Sequence, residues 1–285
     1  MTDNTARTSF GLAGVMGWPV AHSRSPKIHN FWLEKLGLTG SYVLLPVAPG
    51  MLNIALPGLA ALGFKGCNIT IPHKVDAIEL VQDVDANARR VGAVNTIVVQ
   101  RDHSLRGMNT DGFGFIQSLL DASPDWAADA GPITVLGAGG AARAVVLALA
   151  DRGAKEIRLI NRTFEKADAL AKEFGGPLKA MPWAQRHAAL ADVALLVNTT
   201  SQGMHGNPPL DLDLQALPGH ALVSDIIYVP LETSLLIEAR RRGNVTVNGL
   251  GMLLNQARPA FEAWFGVLPE VTPELRRRVE ATLQG

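Results

Sequence analysis

The chain has 285 residues, enough for about two domains with cores of their own, which excludes a mini-protein that needs disulfide or metal staples. Its 26 Lys and Arg balance its 26 Asp and Glu, so no net positive charge would attract nucleic acid or acidic lipid. Hydrophobic residues make up 47% and charged residues 18%, against a usual charged share of about 25%, which excludes a disordered chain. We therefore expect a globular protein whose partner is a small molecule, not nucleic acid or a membrane.

The cysteine content limits the chemistry and the compartment. The chain has 1 cysteine, Cys67, which excludes an internal disulfide, and no group of Cys and His residues has the spacing of a zinc site. We expect no metal, a cytoplasmic location, and a Cys67 that acts as a small buried hydrophobe. The apolar run at 144–150 stops short of the roughly 18 residues that a membrane span requires.

The first part of the chain alternates apolar runs with amphipathic stretches, a pattern typical of an α/β sheet. The first strand is predicted at 12–17 and the first helix between Ser25 and Gly37, with Ser25 as its N-cap. Ser23 and Ser25 at this helix start also form a candidate site for a carboxylate. The next elements are predicted as strand 42–47, helix 52–62, strand 66–71, helix 75–81 and strand 94–99.

The predicted strand 66–71 leads into a candidate catalytic segment. Asn68 and Thr70 would share one face of this strand, and Lys74 would emerge where the strand ends. A lone lysine is usually a solvated surface charge, so its interpretation depends on its neighbours. Asp111 is a candidate neighbour at the start of a predicted helix 112–120, where it could also be a plain N-cap. His73 is interpreted as a local hydrogen-bonding residue, not as a base.

A polar, proline-bounded connector at 121–132 precedes a new strand at 133–136 and a glycine-rich loop. Residues 137–142 read GAGGAA, which satisfies G-x-G-x-x-G/A between a strand and a helix and predicts a cradle for a dinucleotide pyrophosphate. A tight glycine turn in an ordinary sheet is the alternative. Further strands at 156–160, 194–198 and 222–228 predict a parallel sheet, and after 245–247 the pattern becomes helical, at 250–265 and 273–283.

The residues after the second strand of this sheet indicate the type of dinucleotide. NAD-binding folds usually carry an acidic residue here for the ribose hydroxyls, whereas this chain has Asn161, Arg162 and Thr163. The Arg162 guanidinium can form paired charged hydrogen bonds with a 2′-phosphate, which favours NADP over NAD. A solvated surface arginine beside a routine Thr163 helix cap is the alternative.

Nine motifs in the chain occur in the order and spacing found in one enzyme family. They are HSRSP, NITIPHK, GAVNT, GMNTDGFG, GAGGAAR, NRT, NTTSQGM, DIIYVPLETSLL and GLGMLLNQA. From Gly17 to Trp264 the chain resembles the shikimate dehydrogenases. The resemblance implies two α/β domains: an N-terminal substrate domain and a Rossmann-like NADP-binding domain, with an active-site cleft between them. The implied boundaries are 1–110, completed by C-terminal helices at 249–285, and 111–248.

The resemblance also implies a reaction, the reversible NADPH-dependent reduction of 3-dehydroshikimate to shikimate, with Lys74 and Asp111 as catalytic residues. The substrate-binding residues that it implies are Ser23, Ser25, Thr70, Lys74, Asn95, Asp111, Tyr228 and Gln256. The cofactor-binding residues that it implies are Gly137, Ala138, Gly139, Gly140, Ala141, Asn161, Arg162, Thr163, Phe164, Glu165, Lys166, Ile226 and Gly249. Members of the family are dimers or monomers, so a homodimer stays open.

Two other functions remain open from the sequence. One is a quinate/shikimate or aminoshikimate dehydrogenase; a catabolic NAD-dependent form should carry an acidic residue in place of Arg162. The other is a non-catalytic NADP-binding sensor, which could keep the glycine loop while losing the substrate residues. The presence of Lys74, Asp111 and Gln256 favours the enzyme.

Overall fold

The computed structural model describes residues 10–283, and the chain divides into two compact units. The first unit runs to Thr110 and resumes at Gln256, and the second spans Asp111 to Asn255. The chain is predicted to return to the first unit at 249, whereas this division falls within a helix, after Asn255. None of the helices in the described part of the chain has the length and apolar character needed to cross a bilayer.

The first unit contains a mixed six-stranded sheet, in the order β2-β1-β3-β5-β6-β4. Parallel pairing joins β1 to β2 and β3, while β5 runs antiparallel to β3 and β6. The strands are β1 (Gly11–Gly17), β2 (Gly40–Pro46), β3 (Phe64–Ile69), β4 (Asp83–Val84), β5 (Thr96–Val99) and β6 (Leu105–Met108). The helices between them are α1 (Ser25–Lys35), α2 (Leu52–Ala61) and α3 (Ala86–Val91).

Three local predictions in this unit are wrong. The helix predicted at 75–81 is a 3₁₀ helix over Asp76–Leu80, and β3 ends at Ile69, so Thr70 lies beyond the strand. Pro72, joined to Ile71 by a cis peptide bond, has no N–H to extend the ladder. Ser25 is not the N-cap of α1, because the helix already includes Ser25 as its first residue; Arg24 occupies the N-cap position, and no side chain makes a capping hydrogen bond there.

The second unit is built on six strands that pair in parallel, in the order β12-β11-β10-β7-β8-β9. The strands are β7 (Ile133–Leu136), β8 (Ile157–Asn161), β9 (Leu178–Pro182), β10 (Leu195–Asn198), β11 (Leu222–Asp225) and β12 (Thr246–Val247). The helices are α4 (Asp111–Ala122), α5 (Gly140–Asp151), α6 (Phe164–Phe174) and α7 (Ser234–Arg241). The predicted parallel sheet is confirmed, but the strand predicted at 222–228 ends at Asp225, so Ile226 and Tyr228 follow it.

The strand order determines where this sheet can bind a ligand. From β7 the chain builds β8 and β9 on one side, and the later strands β10, β11 and β12 lie on the other. Ligands of open α/β sheets bind at the carboxyl ends of the strands where the order reverses. Here that point is the carboxyl end of β7 and β10, where the glycine-rich loop begins.

The C-terminal helices complete the core of the first unit. They are α8 (Gly249–Phe265) and α9 (Pro273–Glu280). Trp264 near the end of α8 donates its indole N–H to the Ile97 carbonyl at 2.9 Å. His29 of α1 is stacked on Tyr42 at 4.1 Å and lies against the Phe261 and Trp264 rings of α8. The aromatic core is therefore assembled from both ends of the sequence.

Candidate active site

The predicted carboxylate-binding serines lie at the entry to α1. Ser25 is buried in the first turn, and its backbone N–H donates to Ser23 Oγ at 3.3 Å. The Ser23 hydroxyl therefore accepts a backbone hydrogen bond at the helix start, which is the kind of bond predicted for the Ser25 hydroxyl as N-cap. The Arg24 guanidinium between them donates to the Thr282 carbonyl at 2.7 Å and so turns toward the C-terminal segment. The two hydroxyl groups and the start of an 11-residue helix remain suited to a carboxylate.

Lys74 lies in the turn that follows β3, and hydrogen bonds on both sides fix this turn. The Lys74 carbonyl accepts the Val94 N–H at 2.8 Å. The buried His73 ring is 2.7 Å from the Val47 carbonyl, so His73 has the local role predicted for it. The turn begins at Thr70, whose N–H donates to the Met16 carbonyl of β1 at 2.9 Å. The Lys74 backbone is therefore tied to the sheet.

A buried cluster joins two of the predicted substrate residues, Asn95 and Gln256. Asn95 Nδ2 donates to Gln256 Oε1 at 3.1 Å and to Thr110 Oγ1 at 3.0 Å. Thr110 Oγ1 in turn donates to the Gln256 carbonyl at 2.8 Å. Residues distant in sequence are thus brought together within the first unit. Sequence reasoning assigned no role to Thr110 or to Thr96, which also bonds to Asn95, although both lie within the motifs GMNTDGFG and GAVNT.

Asp111 begins α4 in the second unit and is buried, next in the chain to Thr110. A carboxylate in the first turn of a helix is stabilised by the helix dipole. The plain N-cap alternative for Asp111 does not apply, because Asp111 is the first residue of α4 and not the residue before it. Lys74 and Asp111 belong to different units, so their predicted cooperation stays a prediction.

The glycine-rich loop has the local structure that a pyrophosphate needs. The Gly137 N–H donates to the Ile160 carbonyl at 2.8 Å, which places the loop between β7 and β8. Gly139 is the N-cap of α5 without a side-chain cap, and a Cβ built on Gly139 or Gly140 would face open space. The first-turn amides of this 12-residue helix are therefore accessible to a phosphate. These residues fit a dinucleotide.

The segment after β8 contains the predicted 2′-phosphate residues. Arg162 is exposed, and Asn161 Nδ2 donates to the Thr163 carbonyl at 2.8 Å, which shapes the turn. Thr163 is the N-cap of α6, but its side chain makes no capping hydrogen bond. Phe164, Glu165 and Lys166 follow in the exposed first turn of α6. A guanidinium and no carboxylate directly follow β8, as a 2′-phosphate site requires.

The residues after β11 are organised by a buried carboxylate that the sequence analysis did not single out. Asp225 accepts hydrogen bonds from Asn198 Nδ2 at 3.1 Å, Thr233 Oγ1 at 2.8 Å and the Ile227 N–H at 3.1 Å. Burial raises the pKa of this carboxyl above its ordinary value, although these donors oppose the shift. The carboxylate thereby holds the segment that carries Ile226 and Tyr228.

Gly249 begins α8 directly against this segment. Its N–H donates to the Ile227 carbonyl at 2.9 Å, and a Cβ would collide with the Ile226 carbonyl. Only glycine permits this approach of the two backbones. Two of the predicted cofactor residues, Ile226 and Gly249, are therefore neighbours.

Two remaining expectations concern thiol and metal chemistry. Cys67 is buried in β3, and burial raises the pKa of its thiol, which confirms a small buried hydrophobe and disfavours a thiolate. Within residues 10–283, no group of three or more His, Cys, Asp or Glu residues is arranged to hold a metal ion.

A parallel sheet, a glycine-rich turn into α5 and an arginine after the second strand define a dinucleotide-binding protein of the Rossmann type. Comparison with known families refines this class. The shikimate dehydrogenase substrate binding domain matches residues 15–97, shikimate/quinate 5-dehydrogenase matches 126–205, and the shikimate 5′-dehydrogenase C-terminal domain matches 249–273. The chain belongs to the shikimate dehydrogenase family.

Individual relatives agree with this assignment. The chain is 55% identical to a shikimate dehydrogenase (NADP(+)) of Paramagnetospirillum magneticum, over 93% of this chain and 96% of that protein. A crystal structure of shikimate 5-dehydrogenase from Thermus thermophilus, in complex with NADP(H) and shikimate, is 38% identical with a TM-score of 0.85 and covers 96% of this chain and 100% of its own. A quinate dehydrogenase from Corynebacterium glutamicum, in complex with NAD, is 28% identical with a TM-score of 0.89, over 96% and 100%.

Proposed function

We propose that this protein catalyses the reversible, NADPH-dependent reduction of 3-dehydroshikimate to shikimate, a step of aromatic amino-acid biosynthesis. The observation that carries the proposal is the 55% identity to a relative named for this activity, over 93% of the chain. The fold and the two groups of site residues support it. The first unit holds a buried polar cluster suited to a small polyhydroxylated acid, and the second holds a loop suited to a dinucleotide.

The cofactor assignment rests on three features of the second unit. The amides at the start of α5 would hold the pyrophosphate, Arg162 would bind the 2′-phosphate, and the segment of Ile226 and Gly249 would lie against the nicotinamide. When bound, NADPH supplies the hydride that reduces the substrate carbon. Phe164, Glu165 and Lys166 in the first turn of α6 would border the adenosine end of the site.

The protein supplies a proton and fixes the substrate. Hydride addition to a ketone leaves negative charge on its oxygen, so a donor must stabilise and then protonate that oxygen. We assign this role to the Lys74 ammonium, which gives its proton to the oxygen in reduction and, as the neutral amine, takes it back in oxidation. Asp111 would accept a hydrogen bond from a substrate hydroxyl and orient Lys74.

The remaining residues would bind the rest of the substrate. Ser23 and Ser25 would donate to its carboxylate at the start of α1. Thr70, Asn95, Tyr228 and Gln256 would bind its ring oxygens. In the structure, Asn95 and Gln256 already share a hydrogen bond, so the two amides would act as one surface.

A cofactor-reduction assay at 340 nm, with shikimate or quinate and NADP or NAD in all four combinations, tests the proposal. We expect fast turnover with shikimate and NADP. Turnover mainly with quinate and NAD would favour the second candidate, which the similarity to the quinate dehydrogenase motivates. Absence of turnover in every combination would contradict both and favour a cofactor-binding sensor or an aminoshikimate substrate.

We also propose a cytoplasmic location and a homodimer. The 1 cysteine of the chain, Cys67, is buried and cannot form an internal disulfide, as is usual for proteins of reducing compartments. The dimer is inferred from the occurrence of dimers in the shikimate dehydrogenase family. Sedimentation equilibrium of the purified protein would decide between one copy and two.

A further inference from the structure

We propose that Thr96 is a positioning residue for the reaction: together with the Thr110 backbone N–H, its hydroxyl holds the Asn95 amide in one orientation, and through Asn95 it determines which side of the Gln256 amide faces the substrate. The proposal rests on the proposed function in that Gln256 is taken to bind substrate. Thr96 itself is 0% exposed in β5, so it acts through its neighbours.

The direction of each hydrogen bond follows from backbone groups that have only one role. The Asn95 carbonyl can only accept, so the Asn68 nitrogen, 3.1 Å away, must be the donating side of that amide. Asn68 Oδ1 then accepts from the Tyr42 hydroxyl at 2.6 Å. The second proton of Asn68 Nδ2 goes to Thr96 Oγ1 at 3.1 Å.

The hydrogen bond from Asn68 to Thr96 determines the direction of the next bond, from Thr96 to Asn95. Because Thr96 Oγ1 accepts from Asn68, its own proton is available to Asn95 Oδ1, at 3.0 Å. Asn95 Oδ1 also accepts the Thr110 backbone N–H at 2.9 Å. Two donors therefore converge on the oxygen of Asn95, and its nitrogen must lie on the opposite side.

The orientation of the Asn95 amide determines the orientation of the Gln256 amide. Asn95 Nδ2 donates one proton to Thr110 Oγ1 and the other to Gln256 Oε1. Gln256 Oε1 is thereby committed as an acceptor, which makes Nε2 the donating side of that amide. A donor of this kind suits the hydroxyl and carbonyl oxygens of a polyhydroxylated acid.

Because the cluster is buried, a change in the direction of these hydrogen bonds would be costly. Asn95 is 2% exposed and Asn68 is also buried, so an amide turned the wrong way would leave donors facing donors without water to compensate. The strand itself does not need a hydroxyl at position 96, because valine suits a buried strand position at least as well. The hydroxyl therefore serves the polar cluster and not the sheet.

The test compares Thr96→Val with Thr96→Ser, which keeps the hydroxyl. Thr134→Val is the matched control, because Thr134 is equally buried in β7 of the second unit and donates one hydrogen bond, to the Ala189 carbonyl at 2.9 Å. We expect Thr96→Val to lower kcat/KM for shikimate about tenfold, with an unchanged KM for NADP. Thr96→Ser should restore kcat/KM to within about twofold, and Thr134→Val should leave it unchanged.

A double-mutant cycle separates positioning from general weakening of the fold. In a Gln256→Ala background, Thr96→Val should cause less than about a twofold further loss of kcat/KM, because it acts through the missing amide. A full tenfold loss in both backgrounds would overturn the proposal. A normal kcat/KM in Thr96→Val, or an equal loss in Thr134→Val, would overturn it as well.

A second measurement needs no turnover and so separates this proposal from the proposed function. In ¹H–¹⁵N spectra, Thr96→Val should shift the side-chain NH₂ signals of Asn95 and Gln256, and Thr134→Val should not. Unchanged signals would overturn the polarity argument even in an active enzyme. Shifted signals in a protein inactive on shikimate would contradict the proposed function and leave the polarity of the cluster supported.

Discussion

At the scale of single residues, the candidate site depends on side chains whose backbones are fixed before any ligand binds. The turn of Lys74 is tied to Val94 by a backbone bond and to Val47 through the His73 ring. Such fixation lowers the entropy lost when a catalytic group must adopt one position. The backbone that carries the proposed proton donor, Lys74, is therefore held in one position on the first unit.

Replacement of this lysine is the most direct test of the chemistry. Lys74→Ala should lower kcat by at least about 10²-fold with a much smaller change in KM, because a general acid–base group acts mainly in the transition state. Steady-state kinetics with shikimate and NADP measure both constants. Lys65→Ala, at an exposed position of β3, is the control for loss of a lysine. Near-normal turnover of Lys74→Ala would remove this residue from the chemistry.

We expect Arg162 to set the preference between the two cofactors. Arg162→Ala should raise KM for NADP about tenfold or more and change KM for NAD little, because only NADP carries the 2′-phosphate that a guanidinium binds. Kinetics with each cofactor at saturating shikimate measure the effect. Exposed Arg152→Ala, at the end of α5, is the matched control. Equal losses with both cofactors would show that Arg162 does not recognise the phosphate.

His29 makes the stability of the first unit depend on pH. Burial among aromatic rings lowers the pKa of His29 from 6.5 to about 3, so the folded protein keeps it neutral. Below pH 6.5, His29 binds a proton in the unfolded chain but stays neutral in the folded protein. The unfolding free energy therefore falls as the pH drops from 6.5 toward 3. The expected loss from this residue between pH 7 and pH 5 is about 2 kcal/mol.

Urea unfolding at several pH values measures this dependence. His29→Phe keeps an aromatic ring in the cluster and should flatten the decline in unfolding free energy by about that 2 kcal/mol. His220→Phe, at an exposed position, is the control for loss of one histidine. A parallel decline in wild type and His29→Phe would show that His29 does not cause the pH dependence.

The sequence could predict candidate site residues where they belong to a short local motif. The loop at 137–142 opens α5 as predicted, and Arg162 follows β8 as predicted. It could not identify Thr96 or Asp225 as organising residues, because Thr96 bonds to Asn68 of β3, and Asp225 bonds to Asn198 of β10 and to Thr233. Hydrogen bonds between distant segments leave no periodicity in the chain.

At the scale of elements, the predictions hold best where one apolar run forms one strand. The strand predicted at 133–136 is confirmed in full. The strand predicted at 66–71 lies two residues too late at each end, because Phe64 already pairs with β1 and the chain leaves the sheet after Ile69. The short strand β4 (Asp83–Val84) carries too few apolar residues to be recognised.

The close packing of α8 on the first sheet gives an element-scale prediction. Gly66 of β3 has φ +152°, and a Cβ there would collide with the Ile97 carbonyl and the Trp264 ring nitrogen. Gly66→Ala should therefore lower the unfolding free energy by about 3 kcal/mol or more, since neither backbone nor buried indole can move away cheaply.

Chemical denaturation compares this variant with a glycine that has room. Gly58→Ala in α2 meets nothing within 4 Å and should be neutral or stabilising by up to about 1 kcal/mol. If Gly66→Ala is as stable as wild type, α8 does not pack against β3 as tightly as the structure indicates.

At the scale of the whole molecule, composition and alternation predict the α/β class and the parallel sheet of the second unit. They do not predict the mixed sheet of the first unit, because the antiparallel pairing of β5 and β6 depends on short strands. The division within α8 is equally invisible, since one continuous amphipathic pattern runs across Asn255 and Gln256. A helix shared by two units has no sequence signal at the point of division.

The discontinuity of the first unit has a consequence for the order in which the protein can fold as it is synthesised. The second unit is one uninterrupted stretch from Asp111 to Asn255, and it can form as soon as that stretch has left the ribosome. The first part of the first unit is translated earlier, yet it lacks Phe261 and Trp264 of its aromatic core until the second unit has been translated. The first unit therefore begins before the second unit and is completed after it, so its nascent sheet stays partly exposed until helix α8 is made.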